Sequence, residues 1–181
     1  MGKGWNRPDC GRAGAPLEGT RRAVRAIAAH SAVAIGLVLS ACGDEATNTN
    51  CVDGPVATVA GTSYAGSLQV DLAQMTEVVA GVFVRDRTIG TGDEAMVGSL
   101  TRVTYAGWLA DGRQFDSGQN FQFQLGAGQV ILGWDRGVQG MRVGGVRQLV
   151  LSPNAAYGLC GIGPIPGNSV LVFDVELTGV G

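Results

Sequence analysis

Between positions 105 and 173 the chain places Tyr105, Phe115, Phe121, Phe123, Trp134, Tyr157 and Phe173, its densest gathering of side chains able to do chemistry. The groups on which covalent catalysis usually relies are missing around them. The one histidine, His30, lies in an N-terminal segment read below as a leader, so no Ser-His-Asp or Cys-His relay is available to the rest of the chain. Ser117, beside Asp116, is accordingly read as a turn residue. The only lysine is Lys3, which removes Schiff-base chemistry. Without histidines or clustered cysteines the carboxylates are the only metal ligands left, and none are spaced as a calcium loop. Gly126-Ala127-Gly128 and the Gly140–Gly145 run lack the lysine and the strand-to-helix setting of a phosphate loop and are read as turns. What remains is the chemistry of a dry aromatic pocket. Such a pocket excludes water, packs rings against a ligand, and offers hydroxyls such as those of Tyr105 and Tyr157, which need partners when buried, at its mouth.

An element must hold these rings together, and the stretch Gln129-Val130-Ile131-Leu132-Gly133-Trp134 is the candidate. An extended run gives way here to helical spacing. Val138 and Met141 follow Trp134 at four and seven positions, on the same helical face, so the Trp is expected on the inner side of a short helix ending near Gly140, as the floor of a pocket. Strand signals surround it. Val82–Asp86 is a first strand, and Ser99–Leu109 alternates Thr101, Val103 and Tyr105 against Leu100, Arg102 and Thr104. Asp111-Gly112 is a hairpin turn leading to Arg113–Ser117. A further turn at Gly118-Gln119-Asn120 leads to Phe121–Leu125, whose apolar residues share one face. Val146–Leu151 and Val170–Thr178 complete the set, and the acids of the last strand are expected to face water. These short antiparallel strands and one helix predict an α+β domain over residues 73–181, with a curved sheet wrapped on the Trp134 helix.

The N-terminal third has a different character. Arg21, Arg22 and Arg25 precede an apolar run from Ala26 to Ala41 that is too short for a comfortable membrane span, which needs about 20 residues. It ends in Leu39-Ser40-Ala41-Cys42, which looks like a bacterial lipobox. Residues 1–41 are therefore expected to be a lipoprotein signal peptide, with plain secretion or an uncleaved anchor as alternatives. The long polar start implies either a long signal or a later start of translation. Cys42 is the expected lipidation site, and residues 42–72, rich in Thr, Asn, Ser, Gly and Ala, are expected to be a flexible tether. The expected location is a bacterial cell envelope, outside the cytoplasm, with a lipid anchor in the membrane. With Cys10 removed and Cys42 lipidated, Cys51 and Cys160 would be the remaining cysteines, and we expect them to pair. From Cys42 onward seven arginines face thirteen acids, a net charge of −6, which gives no electrostatic footprint for nucleic acid. No dimerisation helix precedes the domain, so a monomer is expected.

Five blocks in order carry a specific resemblance. They are Val103-Thr-Tyr105-Ala-Gly107, Gly112-Arg-Gln-Phe115-Asp116-Ser117, Val130-Ile131-Leu-Gly133-Trp134, Ala156-Tyr157-Gly158 and Leu171-Val-Phe173-Asp174-Val175-Glu176-Leu177. Together they resemble the FK506-binding-protein (FKBP) type peptidyl-prolyl cis-trans isomerases over about residues 82–178. The resemblance implies a five-stranded antiparallel half-barrel wrapped around one short α-helix. It also implies rotamase activity on X-Pro bonds, here of exported proteins, without a cofactor, and inhibition by FK506- or rapamycin-type macrolides. It makes Trp134 the platform for the proline ring and Tyr105, Phe121, Val130, Ile131 and Phe173 the walls. The Ile131 N–H would bind a carbonyl flanking the proline, Tyr157 would donate from the rim, and Asp116 would sit beside the twisted amide. Phe115 and Ile165 would contact the residue before proline or the loop edge. The chain departs from many relatives in having only Ser-Gly-Gln-Asn between Asp116 and Phe121 and no basic partner for Asp116, which leaves two alternatives: another partner such as Tyr105, or a more exposed carboxylate. A catalytically weak module that binds proline segments of envelope partners is the alternative, and a generic lipoprotein scaffold a third reading.

Overall fold

The computed structural model describes residues 51–181. The expected leader, with Cys10 and His30, and the expected lipidation site Cys42 lie outside them. Six strands, β1 (Thr76–Val79), β2 (Val82–Thr88), β3 (Leu100–Leu109), β4 (Gln114–Gln124), β5 (Val146–Leu151) and β6 (Leu171–Val180), form one antiparallel sheet in the order β1-β2-β5-β6-β3-β4. Among the described residues one short α-helix, α1 (Leu132–Gly137), lies against its concave face. The antiparallel α+β architecture is that expected, enlarged by β1, an edge strand of four exposed residues that pairs only with β2.

Alternation along β5 and β6 sends Leu149, Leu151, Leu171, Phe173, Val175 and Leu177 inward, where they bury against Trp134, Val138 and Met141 of the helical segment. Each fully buried side chain of this size contributes about 1.5–3 kcal/mol, so the helix is held by packing. It is too short to be stable alone.

Three expectations change. The turn expected at Gly118-Gln119-Asn120 does not divide two strands. β4 runs through it with one extra residue, pairing Gly118 with Tyr105 and Phe121 with Val103, and Asn120 takes φ 54°. The local turn tendency is absorbed as a β-bulge. The flexible tether does not extend to residue 72, because residues 51–75 pack on the convex face of the sheet. Val59 and Leu68 bury there with Val150, Val170 and Val172, and Tyr64, Phe83 and Trp108 pack alongside. Periodicity could not reveal this strap, since it contains only two three-residue 3₁₀ turns, Gly66–Leu68 and Leu72–Gln74. As a result the outer face of β6 is not simply wet. Val172 is fully buried and Asp174 is half-buried, 3.4 Å from Arg87; burial raises the Asp174 carboxyl above its ordinary value against the lowering effect of Arg87 and Arg85.

The strap is fastened at several points. The Cys51 and Cys160 sulfurs are bonded. Val52 N–H donates to the Leu159 carbonyl at 2.8 Å. Asn168 accepts from Ala57 N–H at 2.7 Å through its side-chain oxygen and donates to the Pro55 carbonyl at 3.0 Å. Gln148, buried in the sheet, donates to the Leu68 carbonyl at 2.8 Å.

Candidate active site

The pocket is built outward from Trp134. Its indole is 4 % exposed and forms part of a cavity wall between α1 and the sheet. Tyr105 on β3, Phe121 on β4 and Phe173 on β6 stand nearly perpendicular to the indole plane, at 84°, 87° and 87°, with centroids 5.0, 5.9 and 5.5 Å away. These edge-to-face contacts are the favourable arrangement of aromatic quadrupoles, and they make a floor with upright walls. Phe115 on β4 meets Phe173 edge-on at 5.5 Å. Phe123 is buried behind the indole, 5.7 Å from it, and belongs to the core.

Two glycines make room for these walls. An added Cβ at Gly107 would lie 2.7 Å from Phe173 Cε1 and 2.8 Å from Phe115 Cζ, and one at Gly118 would lie 2.7 Å from Tyr105 Cε1. No other residue allows the rings to lie this close to the strand backbone.

Polar groups gather at the mouth. The Tyr105 hydroxyl donates to Asp116 Oδ2 at 2.8 Å, and Asp116 Oδ1 accepts from Ser117 N–H at 2.9 Å. Burial raises the Tyr105 hydroxyl well above its ordinary value, reinforced by its bond to Asp116 and by that carboxylate's charge. Burial and then the charge of Asp116 push Tyr157 up to about 12. Both hydroxyls therefore remain proton donors at neutral pH.

Ile131 is the N-cap of α1, with extended backbone at φ −60° and ψ 151°. Its carbonyl accepts from Trp134 N–H at 2.9 Å and Asp135 N–H at 3.2 Å, while its own N–H finds no acceptor among the described residues.

Nine of the residues singled out from sequence line this one cavity: Tyr105, Phe115, Asp116, Phe121, Val130, Ile131, Trp134, Tyr157 and Phe173. Ile165 does not. It is 3 % exposed, packs into the core, and exchanges two backbone hydrogen bonds with Ile162, at 3.0 and 2.9 Å. The tight Ile162–Ile165 loop turns its side chain into the core.

Sequence reading missed Asp135. Its buried carboxylate accepts from Gly126 N–H and Gly128 N–H, each at 2.9 Å, tying the turn before Val130 to the helix that carries Trp134. An acid one residue after the Trp, preceded by a Gly-x-Gly turn, was the only available signal. Among the described residues no group of three His, Cys, Asp or Glu side chains could hold a metal ion. No helix among them is long and apolar enough to cross a membrane.

The sequence matches the family described as FKBP-type peptidyl-prolyl cis-trans isomerase over residues 92–178. It is 47 % identical over 107 residues to FK506-binding protein 3 of Yarrowia lipolytica, covering 58 % of this chain and 26 % of that one. It is 49 % identical over 104 residues to FK506-binding protein 4 of Gibberella zeae, covering 56 % and 21 %. The chain thus spans about a quarter of the length of these curated relatives. Among solved structures, a peptidyl-prolyl cis-trans isomerase of Pseudomonas syringae superposes with a TM-score of 0.56 at 32 % identity, covering 64 % of this chain and 86 % of that one. The curated relatives are fungal, and this overturns the expected placement as a lipid-anchored protein of a bacterial envelope. A basic-then-apolar segment ending in small residues and Cys is a short, degenerate signal. The relatives carry more weight.

Proposed function

Since the chain belongs to the FKBP-type peptidyl-prolyl cis-trans isomerase family, we propose that the Trp134 pocket catalyses cis/trans isomerisation of X-Pro bonds in polypeptides, in a unit that we take from residue 51, because the strap packs on the sheet. The earlier restriction to exported proteins rested on the envelope placement and falls with it. The observation that carries the reading is the box itself, with its indole floor and three perpendicular ring walls, and with polar groups confined to its mouth.

The reaction breaks no σ bond. Its barrier of about 18–20 kcal/mol is the amide resonance lost when the bond is twisted. A planar amide is more polar at its carbonyl than a twisted one, so moving it from water into an apolar box disfavours the ground state relative to the transition state. In this reading the proline ring lies on Trp134 between Tyr105, Phe121 and Phe173, with Val130 and Phe115 closing the sides. The free N–H of Ile131 holds a carbonyl flanking the proline, and Tyr157 donates to a second one from the rim. Asp116, fixed by Tyr105 and by Ser117 N–H, faces the twisted amide and keeps the two hydroxyls polarised as donors. An acceleration of about 10⁴- to 10⁶-fold requires only about 5.5–8 kcal/mol, within reach of desolvation and a few oriented hydrogen bonds. No nucleophile is needed, which fits the lack of His and Lys near the pocket.

FK506- or rapamycin-type macrolides, which present a proline-like ring and carbonyls, would occupy the same box. The protein is read as a monomer. Exchange NMR on a Phe-Pro peptide tests the proposal. Cross-peaks between cis and trans resonances that appear on adding protein and vanish with macrolide are expected. Tight macrolide binding with no exchange would instead favour a pure binding module.

A further inference from the structure

A second cavity of about 450 Å³ lies beside the pocket, lined by Val97, Leu132 and Arg136 and sharing Val130 with it. Val97 lines it while 59 % exposed, and Met96 and Leu100, one and three residues away along the chain, are exposed at 62 % and 50 %. Apolar side chains clustered in the open beside a ligand pocket mark an interaction surface more often than chance does. The floor of the groove is preorganised, because Asp135 spends its carboxylate on Gly126 N–H and Gly128 N–H. It therefore offers no free acid to a ligand. Arg136, exposed at the edge, makes no ion pair among the described residues, in contrast to Arg87, Arg142 and Arg147. The groove thus combines an apolar wall with an exposed guanidinium that no carboxylate contacts directly among the described residues.

We propose that this groove is a specificity subsite for the polypeptide flanking the isomerised proline, accepting an apolar side chain against Val97 and Leu132 and an acidic side chain at Arg136. The inference rests on the isomerase reading. Its occupant follows from continuity with the proline pocket. A chain leaving that pocket over Val130 reaches the groove within about two to four residues at roughly 3.4 Å each. The substrate class is then an X-Pro segment with a Leu-Glu-like pair a few residues away on one side.

The test uses the full chain and exchange NMR on decapeptides containing a single Phe-Pro bond, with Gly flanks, or with Leu-Glu or Leu-Lys placed two and three residues before or after the proline. A Phe-Pro tetrapeptide too short to reach the groove is the reference. On one side of the proline, Leu-Glu is expected to raise kcat/KM about five- to twentyfold over Gly flanks, the gain from partly burying one Leu and pairing one acid. Val97→Ser should abolish that gain, and Arg136→Glu should reverse the Glu-over-Lys preference, while both variants turn over the tetrapeptide within roughly twofold of the unmodified chain. Equal rates on all flanks, with the tetrapeptide still turned over, would overturn the subsite and leave the isomerase reading standing. No turnover of any peptide would overturn both. Self-association by sedimentation that Val97→Ser abolishes would assign the groove to a second copy of the chain and overturn the proposal.

Discussion

Gly107→Ala separates the pocket's catalytic geometry from the stability of the sheet that carries it. The added methyl would sit 2.7 and 2.9 Å from Phe173 Cε1 and Cδ1 and 2.8 Å from Phe115 Cζ. Ordinary carbon contacts lie at about 3.5–4.0 Å, so each ring must retreat by at least roughly 0.6–0.8 Å. Phe173 is buried on its core side and Phe115 packs edge-on against it, which leaves the cavity as the direction of retreat. Overpacking of this kind costs about 1–3 kcal/mol. The strand itself tolerates alanine, since Gly107 does not occupy a left-handed conformation. A displacement approaching 1 Å at a positioning surface can lower rates by about 10²-fold. We expect Gly107→Ala to unfold in urea with stability reduced by about 1–3 kcal/mol and an unchanged dependence on denaturant, while kcat/KM on a Phe-Pro peptide drops by about 10- to 100-fold. Adding Phe115→Leu, which removes the ring edge nearest the new methyl, should restore part of both. Full activity together with full stability in Gly107→Ala would refute the claim that these rings bound the substrate space.

Asp116→Ala should keep the fold, because the bonds the carboxylate makes to Tyr105 and Ser117 N–H lie at the mouth, and lose most isomerase activity in the exchange assay; an unaltered rate refutes its assigned role. Asp135→Asn leaves one oxygen for two backbone donors and turns an amide N–H toward the other, so we expect a loss of about 1–3 kcal/mol in urea melts and a rise in KM as the turn before Val130 loosens. Cys51→Ser, or reductant added to the native chain, opens a link spanning 109 residues and should cost about 2–4 kcal/mol; superimposable urea curves with and without reductant would contradict this. Tyr64 and Tyr157 have pKa values raised from 10.0 to about 12, and Tyr105 is raised too. The folded protein thus holds protons that the unfolded chain releases above pH 10. Stability fully present below pH 10 should therefore decline between pH 10 and about 12, with isomerase activity showing no tyrosine titration below pH 9.

What could be read in advance divides along a physical line. The pocket was legible because its parts are encoded locally. The turn from extended chain into helix at Ile131 and Trp134 sets the floor, and strict alternation puts Tyr105, Phe121 and Phe173 on one face of their strands. An α+β sheet around a helix then has only one place for them to converge. Ile165 failed for the opposite reason, since its direction is set by a tight loop whose two backbone hydrogen bonds leave no trace in composition. The strap failed for a related one. Residues 51–75 are aperiodic, with their apolar residues at no strand or helix spacing, yet they cover the convex face because β5 and β6 present Val150 and Val172 there, apolar residues at positions that a sheet with one wet face would give to polar ones. Those outward valines were visible in the sequence, as was the uniformly apolar run from Val170 to Phe173. A strand apolar on both faces demands cover on both faces. Helix α1 accounts for only one of them, so a second covering segment had to come from elsewhere in the chain, and the residues before β1 were the long unassigned stretch able to supply it.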